Sequence, residues 1–161
     1  MATPTSGSPG AGSAGRAIAV PHHASGARQA RQQLTAELDR LVPPALLSDA
    51  RAVAAELLGN AVRHAAPLPG DVIELDWRVE TDADGTLLEL RVCDGGSAQM
   101  PHERRPEPDS PGGRGLAIVA ALARSWGVER DGSRQCVWAV LHHPVTPPPA
   151  KLTNSLLPGH G

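Results

Sequence analysis

The sequence predicts an α/β (α+β) two-layer sandwich, a largely antiparallel mixed sheet with helices packed on one face. Three observations lead there. Two segments with helical spacing of apolar residues fill most of residues 25–65. Two partly alternating apolar segments then flank the turn Asp82-Ala83-Asp84-Gly85. A third helical segment and a last strand follow a long polar loop. Helix, helix, hairpin, loop, helix, strand is an order that gathers the helices on one side of a sheet.

Each element has its own signal. Residues 1–16 carry almost nothing apolar enough to bury and are expected to be a disordered tail, with a short edge strand at Ala17–Val20 ended by Pro21. Ser25 is the expected N-cap of a first helix, in which Ala27, Ala30, Leu34, Leu38 and Leu41 recur at helical spacing. Pro43-Pro44 interrupts it, and a second helix is expected from Ala45 to Ala65, before Pro67 and Gly70. Residues 72–79 and 87–93 read as the two strands of a hairpin. Residues 97–111 contain four prolines and many charges, the composition of a long functional loop. A third helix is expected over Gly115–Trp126, then a turn at Asp131-Gly132-Ser133 and a strand over Gln135–Leu141. The domain therefore spans residues 17–143, and residues 144–161, with Pro147-Pro148-Pro149, form a Pro-rich tail.

Bulk properties narrow the function. A chain of 161 residues holds one well-filled core. Its 15 basic and 17 acidic side chains leave a net charge of −2 without clustering, which argues against direct nucleic-acid binding. Three tryptophans and no Phe or Tyr leave no stacking platform for single strands and a core of Leu, Val, Ile and Ala. Cys93 and Cys136 fall in apolar strand segments, and two buried thiols suit a reducing compartment better than a disulfide framework. Residues 1–15 have neither the charged start nor the apolar stretch of a signal peptide, and no apolar run approaches the roughly 20 residues of a membrane span. The expected setting is cytoplasmic, without membrane contact.

Three short motifs carry chemistry. Glu56, Asn60 and His64 recur every four residues in the second helix. At roughly 100° per residue they fall along one border of the apolar face, where side chains look into a cleft between helix and sheet. An Asn oxygen suits Mg²⁺, which takes few protein ligands beside substrate phosphates, and a carboxylate one turn away suits a general base. Such a pair alone also describes the solvated margin of an amphipathic helix. Asp94-Gly95-Gly96 puts a carboxylate at a strand end with room for close approach to the backbone, although an Asp-Gly pair also makes ordinary turns. Gly112-Gly113-Arg114-Gly115 precedes the Leu116, Ile118, Val119, Leu122 pattern, and the start of a helix offers N–H groups and dipole to phosphate. No Gly-Lys-Ser/Thr follows, so this is not a Walker loop.

In this order the motifs resemble those of the GHKL, or Bergerat-fold, ATPase/kinase superfamily, and most closely the small bacterial anti-sigma-factor serine/threonine kinases. The likeness covers about residues 17–141. Glu56-Leu-Leu-Gly-Asn60-Ala-Val-Arg-His64 resembles the N box, Asp94-Gly95-Gly96 the first glycine box and Gly113-Arg114-Gly115-Leu116 the second. The resemblance implies the Bergerat-type ATP-binding fold, with ATP and Mg²⁺ as cofactors. It gives Glu56 the role of catalytic base, Asn60 that of magnesium ligand and Asp94 that of reader of the adenine amine. It sets Asn60, His64, Asp94, Gly96, Gly113, Arg114, Gly115 and Leu116 against the nucleotide. Residues 97–112 would form a lid, with Arg104 and Arg105 as phosphate contacts. Cys136 stands where the family commonly has Thr, before Val137-Trp138-Ala139. The implied function is to bind a sigma factor and phosphorylate a STAS-type anti-anti-sigma protein, in a chain that can form a homodimer. The alternative is a non-catalytic ATP-binding module for protein interaction.

Overall fold

The computed structural model describes residues 12–97 and 113–145. The expected tail up to residue 11, the lid over residues 98–112 with Arg104 and Arg105, and the Pro-rich tail from residue 146 lie outside the described residues.

The elements run β1 (Gly12–Pro21), α1 (Ala24–Leu38), α2 (Pro44–His64), β2 (Val72–Asp82), β3 (Gly85–Asp94), α3 (Gly113–Leu122), β4 (Ser125–Asp131) and β5 (Arg134–Pro144). The five strands form one sheet in the order β1-β2-β3-β5-β4, and every pairing is antiparallel. The α+β two-layer expectation holds, with α1 and α2 packed together on one face and α3 against α2.

The core follows from two periodicities. Along α2, Leu46, Ala50, Val53, Ala54, Leu57, Leu58 and Ala61 are buried at helical spacing. Ile73, Leu75, Trp77 and Val79 of β2 alternate inward to meet them, as do Leu88, Leu90 and Val92 of β3 and Val137, Ala139 and Leu141 of β5. Fully burying each Leu contributes about 1.5–3 kcal/mol. α1 adds Ala27, Ala30, Leu34 and Leu38 to the same cluster.

The opposite, open face of the sheet is mixed, with charged side chains beside the buried Cys93 and Cys136 and the half-buried Trp138 and Val140. Ion pairs join Arg91 to Glu129 at 2.8 Å, Arg134 to Glu74 at 3.0 Å and Arg78 to Glu80 at 3.0 Å.

Four expectations change. The first strand starts at Gly12, because residues 12–16 pair with residues 77–81 of β2 whatever their side chains. Backbone pairing with a neighbouring strand orders a segment that has little to bury. The cap of α1 is His23, whose Nδ1 accepts from the Gly26 N–H at 3.1 Å, while Ser25 lies inside the helix and bonds His23. Trp126 belongs to β4 and not to α3. Its spacing from Val119 and Leu122 fits a helix, but the free edge of β5 takes residues 125–131 as a strand.

The fourth change concerns the cysteines, which are joined in a disulfide. The β3–β5 register sets Cys93 directly opposite Cys136, a relation that spacing along the chain does not reveal. The expectation of two free thiols is therefore withdrawn, and with it the argument for a reducing compartment. Among the described residues no helix is long and apolar enough to cross a membrane.

Candidate nucleotide-binding site

Backbone hydrogen bonds bring the first two motifs together. Past the end of α2, the Ala66 N–H donates to Gly96 O at 3.0 Å and the Gly95 N–H donates to Ala66 O at 2.7 Å. The stretch that carries Asp94 is thus laced to the end of the helix that carries Asn60. Only glycine fits at position 95, where a Cβ would stand 2.2 Å from Pro67 O. Gly96 has φ +90° and passes so close to the β4–β5 turn that a Cβ would be 2.5 Å from Ser133 O. These two glycines serve close approach between three chain segments.

His22 adds a second fastening that the sequence did not signal. Its Nε2–H faces two carbonyl oxygens of α2, Ala61 O at 3.0 Å and Ala65 O at 2.9 Å. A ring donor at the carbonyl end of a helix satisfies groups that lack intrahelical partners. The link between β1 and α1 is thereby pinned to the end of α2.

The helix margin matches its sequence pattern. Glu56 and Asn60 are half-buried on α2, and His64, its last residue, is exposed. Asn60 Oδ1 is buried without a hydrogen-bond partner. A buried carbonyl oxygen left unpaired costs about 1–3 kcal/mol, so the position suits an oxygen that a ligand satisfies. A hard cation taking one or two protein oxygens beside phosphates, as Mg²⁺ does, fits this donor. Among the described residues no three His, Cys, Asp or Glu side chains gather as a separate metal cluster.

Asp94 ends β3 on the helix-facing side and is 4% exposed. Its Oδ1 accepts from the Gly96 N–H at 2.7 Å. Burial raises its pKa above the usual carboxylate value, outweighing the Gly96 hydrogen bond and the nearby charges of His22 and Arg130, which pull it down. A carboxylate held there at such a cost is suited to a ligand that donates a hydrogen bond.

The third motif is not a loop before a helix. Gly113, Arg114 and Gly115 form the first turn of α3, and Leu116 is buried behind them. The first-turn N–H groups of a helix have no intrahelical acceptor, so the motif keeps its capacity for phosphate in another form. Gly112 lies outside the described residues.

Of the buried polar residues, Asp94 was anticipated and Thr86 and Gln135 were not; Gln135 is the one beside Asp94. Gln135, 3% exposed, is the second residue of β5, directly opposite Asp94, and its Oε1 has no hydrogen-bond partner. Cys136, the position compared with the family's Thr, alternates to the opposite face of the sheet from Val137 and Ala139. The signal was available only in part. Counting back by twos from Leu141 puts Gln135 on the inward side, but its partner depends on register.

An antiparallel sheet backed by helices, with an unpaired amide oxygen on α2 and a buried carboxylate where β3 is tied to the end of α2, is an α+β sandwich with a candidate ligand site at that end. The model of the histidine kinase-like ATPase domain matches residues 19–141, and the chain belongs to this family of ATP-binding domains. Among solved structures it is similar to the crystal structure of the RsbU and RsbW domains of Rv1364c from Mycobacterium tuberculosis, with a TM-score of 0.59 at 20% identity. That match covers 81% of this chain and 33% of the other, so the likeness is one of fold over a third of a longer protein. No curated protein matches the chain by sequence.

Proposed function

We propose that the chain is an ATP- and Mg²⁺-dependent serine/threonine protein kinase of the anti-sigma type, one that binds a sigma factor and phosphorylates a STAS-type antagonist. The observation that carries this reading is the pairing on α2 of Glu56, a half-buried carboxylate, with Asn60, whose Oδ1 is buried and unpaired one turn away. The fold likeness to a chain that holds an RsbW domain supports it.

In this reading Asp94 accepts a hydrogen bond from the adenine amine and sets the base at the end of β3. The first turn of α3 receives phosphate oxygens on its free N–H groups. Asn60 Oδ1 would hold Mg²⁺, which supplies neutralisation of phosphate charge. Glu56 takes the proton of the substrate serine hydroxyl as its oxygen bonds to the γ-phosphorus and the bond to the β-γ bridging oxygen breaks. His64, exposed at the end of α2, together with Arg114, completes the nucleotide side.

The test uses radiolabelled ATP, the full chain and candidate STAS-domain antagonists. Glu56→Ala is expected to lose transfer by about 100-fold or more, the scale of general-base catalysis, with ATP affinity retained. Binding of ATP without transfer to any antagonist would replace the kinase by a nucleotide-dependent interaction module.

A further inference from the structure

The inward face of β5 begins with a residue that the core has no use for. Val137, Ala139 and Leu141 continue that face as ordinary packing, yet Gln135, buried to 3% exposure, leaves its Oε1 without a partner. A Leu or Met would occupy similar space without an unsatisfied amide. A buried polar group that nothing in the protein satisfies is the mark of one satisfied by a ligand.

Its surroundings select the ligand. Gln135 is the cross-strand neighbour of Asp94, and the preceding pairs on the same face are Val92 with Val137 and Leu90 with Ala139. Directly opposed side chains start from Cβ atoms about 4.5–5.5 Å apart, so the two polar groups address one volume. Asp94 offers oxygen acceptors, one of them already taken by the Gly96 N–H. A Gln amide offers an acceptor and a donor side by side in one plane. That pairing matches adenine, whose amine donates beside a ring nitrogen that accepts. Guanine presents an oxygen where adenine carries the amine, and two acceptors would then face a third.

We infer that Gln135 is a second base-reading residue, acting beside Asp94 to select nucleotides that carry adenine. The inference rests on Asp94 marking the base end of the nucleotide site, and it gives this chain a specificity contact at a position distinct from Cys136.

Titration calorimetry of the full chain with ATP and GTP tests it, alongside thermal melts of the same samples. In Gln135→Leu the ATP Kd should rise about tenfold, the worth of one good hydrogen bond, with GTP binding little changed. The melting temperature should stay level or rise, because the unpaired amide has gone. A structural glutamine would behave the other way, losing stability and keeping the ATP-to-GTP preference, and that result overturns the inference. Gln135→Met, of the same length, repeats the measurement should the leucine variant not fold. Asp94→Asn separates the two failures. If it abolishes the preference for ATP while Gln135→Leu and Gln135→Met retain it, Gln135 is not a reader and the site stands. If the unaltered chain binds ATP and GTP alike, the base end is misplaced and the inference falls with it.

Discussion

The two faces of the sheet treat polar groups in opposite ways. On the open face, polar side chains find one another, as Arg91 does with Glu129 and Arg134 with Glu74. The cysteines at positions 93 and 136 are joined there covalently. On the helix-covered face nearly everything is apolar; at one end the buried Thr86 hydroxyl has that of Thr81 as its partner at 3.5 Å, and the other exceptions gather at the opposite end. Asp94 and Gln135 are buried there, and the amide oxygen of Gln135 is unpaired. Burial raises the price of an unpaired polar group, so the inner face would be expected to exclude such groups first. Their presence at one end, next to the helix carrying Asn60, separates a ligand site from a core.

The sharpest break of this comparison uses sequence neighbours that face opposite ways. Leu90→Ala removes a side chain that is fully buried, at 0% exposure, and is expected to destabilise the fold by about 2–5 kcal/mol in denaturant titration. A loss well under 1 kcal/mol would mean that the inner layer is loosely packed.

Asp94→Asn has a smaller effect and splits stability from binding. With its pKa raised by burial, the folded state keeps the Asp94 proton to higher pH than the unfolded chain does. Stability from this group is therefore present at low pH and falls as pH rises from about 4 through the raised value. The Asn variant lacks that fall and can still accept from the Gly96 N–H. Its melting temperature should exceed that of the unaltered chain at pH 7, and the gap should close near pH 4. ATP affinity should drop about tenfold in the same protein. A variant less stable at pH 7 would show that Asp94 serves the fold and not a ligand.

Arg91→Ala is the smallest change. Its partner Glu129 is more than half exposed, at 56%, so the ion pair is expected to contribute less than about 1 kcal/mol, and less still at high salt. A larger loss would show that the open face is stabilised by its ion-pair network.

Much of the molecule is legible along the chain because periodicity is local. The buried positions of α2 follow directly from the spacing of Leu46, Ala50, Val53, Leu57 and Ala61, and the same spacing puts Glu56 and Asn60 on the margin. The turn at Asp82–Gly85 is equally local, with Asp82 Oδ1 accepting from the Asp84 N–H at 2.8 Å. Where reading failed, the missing information was pairing between distant segments. Trp126 satisfies a helical pattern yet lies in β4, because β5 had an edge to fill. Gly113 and Gly115 suggest a loop, yet they lie in the first turn of α3.

By itself, then, the sequence determined the element types other than β4, the apolar faces and the three motifs with their chemical character, since each depends on residues a few positions apart. Tertiary structure alone decided which of those residues meet. It set Cys93 against Cys136 and Asp94 against Gln135, tied the end of α2 to Gly95 and Gly96, and directed His22 onto the carbonyls of Ala61 and Ala65. The physical reason is register. A one-residue slip of β5 would exchange its two faces and leave every local signal in the chain unchanged.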